Sequence, residues 1–232
     1  MKRQHLVLCD FDGTITQPDV TDTLLAQFSS KNWQAVGQKY DLGKITHRHM
    51  NSGFVDSLRV SEGQLQKFLD SRTWLRPGFE DFINKYQASD YKIVIVSSGW
   101  DIYIEEILKK FDFQVITSKT EFSKVNWQDS GRVILCNSAK FQGQGKWKMG
   151  NGWLSWGCQI SSPCKGKILD ELRPNFDQVI AIGNSGTDIC MMEKSSQTFA
   201  TGSLKKICQE QSINCVGFES FAEINLALGT SV

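Results

Sequence analysis

Two aspartates one residue apart, Asp10 and Asp12, follow the apolar run HLVLC and precede Gly13 and Thr14. Residues i and i+2 at a strand end point to the same side, and the carboxyl ends of strands are where open α/β sheets hold ligands. Two carboxylates so placed repel unless a cation or a proton lies between them, which points to metal binding or acid–base work. The same residues also suit a plain turn, because Asp-Gly is a common turn dipeptide and Thr14 could cap a helix. Three further polar groups follow apolar runs in the same manner. Ser97, Ser98 and Gly99 close YKIVIVSSG, offering hydroxyl and backbone donors at a helix start, a favourable place for an anion. Lys165 opens the segment after SSPC, where a cation opposes the helix dipole and so calls for a reason other than helix stability. Asn184 and Asp188 follow QVIAIG in the run GNSGTD. Acids for a hard cation, with hydroxyl and ammonium groups for a phosphate, make a coherent set.

Such residues need a sheet whose strand ends converge. Continuous Val/Ile runs at 5–11, 91–98 and 178–183, with shorter TFAT and INCVG, alternate with helical patterns at 99–111, 165–173, 187–195, 203–212 and 218–228. That rhythm predicts βα units and a doubly wound parallel α/β sheet buried on both faces. Residues 16–75 break it with short helical stretches, which predicts a helical cap inserted after the first strand, the core comprising 1–15 and 76–232. LRPGF marks the return, with Pro77 suited to a helix N-terminus. A second break, 119–164, is rich in Trp and Gly and is expected to form a hairpin or flap, its tryptophans packing it or walling a pocket.

The 232 residues carry 26 basic and 25 acidic side chains, a formal net charge of +1. That balance offers no footprint for nucleic acid or an anionic membrane. Asp10 and Asp12 cut the N-terminal apolar run short of leader or membrane-spanning length, so a cytosolic location is expected. Seven cysteines without a CxxC pair suggest free thiols, although Cys158 and Cys164 lie close enough for a disulfide or a metal site to be considered.

DFDGTIT, VSSG, CKG and GNSGTD, in that order and across the whole chain, resemble the four motifs of the haloacid dehalogenase superfamily. The helical cap between the first two is similar to the phosphoserine phosphatase branch. The details DFDGTITQPD, LRPGF, VSSGWD and SPCKG look closer still to phosphatases of methionine salvage. The resemblance implies a phosphatase with a small phosphorylated metabolite as substrate and Mg²⁺ as cofactor. Asp10 would be the nucleophile and Asp12 the general acid and base, with Ser97 and Lys165 binding phosphoryl oxygens. Gly13, Thr14, Ser98 and Gly99 would line the phosphate site. Mg²⁺ would be held by Asp10, the Asp12 main chain and the loop of Asn184 and Asp188. Asp19 stands where phosphoserine phosphatases carry a substrate-binding glutamate, and it equally suits a solvated loop. THRHM, residues 46–50, could form a positive patch for a second acidic group or simply face water. The branch usually has an aspartate where this chain has Asn184, which implies weaker Mg²⁺ binding with function kept. A non-catalytic phosphate-binding protein and a protein phosphatase are the alternatives on the same fold.

Overall fold

The structure, a computed structural model, describes residues 5–30, 32–87, 91–127 and 130–229. Strand β1 (His5–Cys9) leads into four helices, α1 (Val20–Phe28), α2 (Trp33–Asp41), α3 (His47–Ser57) and α4 (Glu62–Asp70). The chain returns through α5 (Phe79–Gln87) to β2 (Tyr91–Trp100), α6 (Asp101–Leu108), β3 (Phe113–Ile116), α7 (Lys119–Phe122) and β4 (Arg132–Asn137). A hairpin of β5 (Ala139–Phe141) and β6 (Trp147–Met149) precedes α8 (Lys165–Leu172) and β7 (Gln178–Gly183). Then come α9 (Ile189–Met192), β8 (Gln197–Ala200), α10 (Leu204–Glu210), β9 (Val216–Gly217) and α11 (Phe221–Gly229).

Seven strands form one parallel sheet in the order β3-β4-β2-β1-β7-β8-β9. Alternation along β1 explains why it is central. Val7 and Cys9 join Ile93, Ile95, Ile180 and Ile182 in one apolar layer, while Leu6 and Leu8 join Val94, Val96, Val179 and Ala181 in the other. Every one of these side chains is covered, which is what an all-parallel sheet requires. Cys9 is level with Ile95 of β2 and Ile182 of β7, so the residues just beyond, Asp10, Ser97 and Asn184, emerge side by side at one sheet edge.

The four helices of the insertion all start the same way. Asp19, Asn32, Thr46 and Ser61 stand at their N-caps, each accepting a backbone N–H with its side chain. Leu24, Leu25, Phe54, Val55, Leu58 and Leu65 turn inward and join the apolar layer of Val7 and Cys9, so the insertion shares the core of the sheet. Thr16 and Leu75 pair where the chain leaves and re-enters it.

The segment 119–164 is not one flap. Arg132–Asn137 is a sheet strand, β4, wedged between β3 and β2, and β3 itself falls in a stretch given no strand in the sequence reading. The hairpin proper begins at Ala139. Its tryptophans pack it: Trp147 Nε1 donates to Val60 O (2.8 Å) in the cap, and Trp153 Nε1 donates to Cys136 O (2.7 Å) at the end of β4.

Candidate active site

Asp10 continues the β1 ladder by one bond, its N–H donating to Ile182 O (2.9 Å), which fixes its carboxyl over the sheet edge. Lys165, fully buried at the first position of α8, donates to Asp10 Oδ1 (2.5 Å) and also to Asp188 Oδ1. The ammonium thus neutralises two carboxylates that burial would otherwise force apart. Burial, and next the charge of Asp188, raise Asp10 to about 6, while Lys165 and the Thr14 hydroxyl (2.8 Å to Oδ2) pull it down. Burial works against the Lys165 ammonium, but Asp10 and Asp188 outweigh it and lift Lys165 above the ordinary lysine range. Thr14 is wholly buried, and its hydroxyl orients Asp10 instead of facing the pocket. Lys167, two residues further along α8, points away and donates to Gly157 O.

Asp12 has a different environment. Tyr103 Oη donates to its Oδ2 (2.5 Å), the Ser97 hydroxyl reaches the same oxygen (3.4 Å), and the amides of Val20 and Thr21 approach Oδ1. Burial first, and the charge of Asp19 second, raise Asp12 well above the usual carboxylate range, against the pull of Tyr103. Gly99 is obligatory here, since a Cβ would lie 1.8 Å from Tyr103 Oη and 2.5 Å from Asp12 Oδ2. Ser97 Oγ also accepts the Gly99 N–H (2.9 Å).

The loop after β7 is closed by Asp188, whose Oδ2 accepts the amides of Asn184 (2.8 Å) and Ser185 (3.0 Å). Both Asp188 oxygens are therefore committed, and the residue is fully buried behind Lys165. The Asn184 side chain instead reaches the pocket and lies against Gly13, whose φ of +70° and lack of a Cβ leave room for it: a Cβ there would be 2.1 Å from Asn184 Nδ2. Arg76, unremarked in the sequence, holds this turn from beneath by donating to Gly13 O (2.6 Å) and Thr14 O (2.7 Å).

Among the described residues no group of three or more His, Cys, Asp or Glu side chains gathers as a metal site. What converges is an oxygen set of lower charge: the Asp10 carboxylate, the Asp12 region and the Asn184 amide border the same pocket. Hard oxygen donors of that kind fit Mg²⁺, which keeps several waters and needs few protein ligands.

The pocket encloses about 190 Å³ between this edge and the cap. Ser97, Ser98 and Gly99 line it, as does Asp19, which doubles as the N-cap of α1. Burial, and next the charge of Asp22, raise Asp19 to about 7. From α3 come His47, Met50, Asn51 and Phe54, a stripe at helical spacing. Asn51 Nδ2 donates to Ser98 O and its Oδ1 accepts Trp100 Nε1 (2.6 Å); Asn137 Nδ2 also donates to Ser98 O (2.9 Å). THRHM is not a positive patch. Arg48 turns outward to Gly150 O (3.0 Å) and Asn151 Oδ1 (2.6 Å) in the hairpin loop, His49 is bound to the Thr46 cap, and of the three basic side chains His47 alone lines the pocket.

Cys158 and Cys164 are free thiols, and a hydrogen bond from Cys164 draws Cys158 down to about 5. No helix among the described residues is long and apolar enough to cross a membrane. Tyr103, Arg76 and Asn51 are site residues that the sequence did not single out, and His47 stood out only as part of THRHM. Tyr103 and Asn51 carried no signal beyond helical position, which a core residue shares, and Arg76 lies in the loop before α5.

The model of the haloacid dehalogenase-like hydrolases matches residues 7–193. A 2-hydroxy-3-keto-5-methylthiopentenyl-1-phosphate phosphatase of Exiguobacterium sp. is 27% identical, covering 94% of each chain. The protein of that name from Geobacillus kaustophilus is 28% identical over 98% of this chain and 97% of its own. A phosphoserine phosphatase solved as a phospho-aspartyl intermediate analogue superposes with a TM-score of 0.68 at 19% identity, covering 97% of this chain and 99% of that one.

Proposed function

The chain belongs to the haloacid dehalogenase-like hydrolase family, and from that premise we propose that this phosphatase hydrolyses a small phosphorylated metabolite through an aspartyl-phosphate on Asp10. The observation that carries the reading is the split between two neighbouring carboxyl groups. Burial raises both, but Asp10, at about 6, is held beside the Lys165 ammonium, whereas Asp12 is pushed well above the usual range and lies against the Tyr103 hydroxyl. A carboxyl paired with a cation beside one that burial inclines to hold a proton is what nucleophile and general acid require.

An Asp10 oxygen attacks phosphorus in line, forming the Asp10–phosphoryl bond as the ester P–O bond breaks. The departing oxygen takes the Asp12 proton. Asp12, now a carboxylate, removes a proton from the water that attacks the aspartyl-phosphate, releasing phosphate and restoring Asp10. Ser97 and the amides beyond it face the phosphoryl oxygens, and Lys165 reduces repulsion between Asp10 and the incoming dianion. Tyr103 aims Asp12, Thr14 aims Asp10, and Arg76 holds the turn between them. Bound Mg²⁺, held by Asp10, the Asp12 carbonyl and Asn184, would supply charge neutralisation for the phosphoryl group.

A pocket of about 190 Å³ is small against the roughly 300–1,000 Å³ of drug-sized sites. It suits a phosphate with a few carbons and leaves a phosphopeptide no room. The intact nucleophile, acid and lysine cluster supports catalysis over phosphate binding alone. The substrate named for the relatives, 2-hydroxy-3-keto-5-methylthiopentenyl-1-phosphate, is the first to assay. Acid quench during turnover of an aryl phosphate with Mg²⁺, followed by mass spectrometry, should place one phosphoryl group on the peptide containing Asp10. Turnover that survives Asp10→Asn would overturn the reading.

A further inference from the structure

His47 is buried, lines the pocket, and leaves its Nδ1 without a partner. A buried polar atom without a hydrogen bond is costly, by roughly 1–3 kcal/mol, unless something supplies the bond when the site is in use. The other polar side chain of the α3 stripe, Asn51, has both ends of its amide engaged. His47 is therefore the residue of the α3 stripe with hydrogen-bonding capacity to offer a substrate. Its ring is seated edge-on against Tyr40 at 5.6 Å, and its main-chain N–H donates to Gln159 O (3.1 Å), so its place is fixed. Burial and the charge of nearby Lys165 lower it to about 4, which makes it a neutral imidazole at the phosphate end of the pocket.

The rest of the wall has a consistent character. Met50 and Phe54 give it an apolar side, Asp19 and Asp22 an acidic one, and among the described residues lining it there is no arginine or lysine. We propose that His47 determines specificity: its Nδ1 hydrogen-bonds a hydroxyl or carbonyl on the carbon chain next to the phosphoester. The acidic and apolar wall then admits a neutral leaving group and rejects one that carries a carboxylate. The inference rests on the phosphatase reading above. A carboxylate in this wall would meet Asp22 and Asp19 with no cation among the lining residues to pair it, and even with Asp19 raised to about 7 the like charges that remain in a confined site cost affinity.

The test is a kcat/KM panel with saturating Mg²⁺: phenyl phosphate, dihydroxyacetone phosphate, 3-phosphoglycerate and O-phosphoserine. In the wild type, dihydroxyacetone phosphate should exceed both carboxylated esters by about tenfold or more. His47→Ala should lower the ratio of dihydroxyacetone phosphate to phenyl phosphate about tenfold, mostly through KM, as expected for one lost hydrogen bond to a buried group. His47→Gln, neutral with donor and acceptor, should recover part of that ratio, and His47→Arg should swing preference towards the carboxylated esters. Wild-type preference for a carboxylated ester would overturn the inference, as would a ratio indifferent to His47. No Asp10-dependent turnover of any ester would instead overturn the phosphatase reading beneath it. Because the wild-type panel stands alone, a variant that fails to fold does not shield the proposal.

Discussion

The floor of the pocket and its roof are built on opposite terms. On the floor, at the sheet edge, Asp10, Asp12, Lys165 and Asp188 are all bound to one another or to neighbours, and two glycines, Gly13 and Gly99, are dictated by what lies against them. On the roof, α3 presents an imidazole with an open nitrogen and two apolar side chains. A reaction common to many substrates requires groups held before substrate arrives, whereas recognition requires groups that the substrate completes. The difference assigns chemistry to the sheet and selection to the cap, and mutations should separate the two.

The floor should fail completely when its centre is changed. Asp10→Asn keeps the shape but removes the proposed nucleophile, and turnover of every ester should fall by at least about three orders of magnitude. Steady-state kinetics with several leaving groups checks this, and a loss confined to one substrate would break the division between floor and roof.

Next in size is Lys165→Met, read as stability. It leaves Asp10 and Asp188 buried without their shared cation, and stranding buried charge typically costs about 3–5 kcal/mol. Urea unfolding at pH 8 should show that deficit. It should shrink as pH falls, beginning above pH 6, because Asp10, which Lys165 holds down to about 6, takes up its proton more readily once the ammonium is gone. An undiminished Cm would mean that the cluster is not held together by the ammonium.

The roof has a pH signature of its own. His47 has a folded value near 4 against an ordinary 6.5, so between those limits the unfolded chain binds the extra proton. Its contribution is intact above about pH 6.5 and is lost as pH falls towards 4. His47→Gln should therefore gain on the wild type over that interval, by at most about 3 kcal/mol. Comparing unfolding free energies at pH 7, 5.5 and 4.5 measures it, and a constant offset would show that the imidazole is not buried neutral.

How much of this was legible follows the same line. The floor could be read because its chemistry is written in adjacent residues: DFDG, SSG and the misplaced Lys165 declare themselves at strand ends. The parallel sheet followed from continuous Val/Ile runs, although FQVI is too short to announce β3, and RVILCN, strand-like in sequence, reads with the Trp- and Gly-rich segment beside it instead of with the sheet. The roof was illegible for a physical reason. His47 and Arg48 are adjacent in sequence yet point into the pocket and into the hairpin loop respectively, and only the helix phase, set by the packing of α3, decides which is which. Tyr103 was hidden likewise, since an aromatic residue on α6 looks the same whether it packs a core or aims a carboxyl.

The remaining test concerns the floor's exception. Asn184 lines the pocket from the fourth motif, together with the hydroxyl residues Ser185 and Thr187, while Asp188 is spent on Lys165 and on two loop amides. Asn184→Asp is isosteric, so the close approach to Gly13 survives, and the change is one of charge. Without metal it adds a carboxylate beside Asp10, Asp12 and Asp19, and the melting temperature should drop. With Mg²⁺ the added charge should strengthen binding about tenfold, near 1.4 kcal/mol, and the melting temperature should rise more steeply with Mg²⁺ than in the wild type. Isothermal titration with Mg²⁺ reads the affinity without relying on turnover. If both proteins bind Mg²⁺ equally, Asn184 is not a ligand, and the floor is as fully committed as the Asp10–Lys165–Asp188 cluster makes it look.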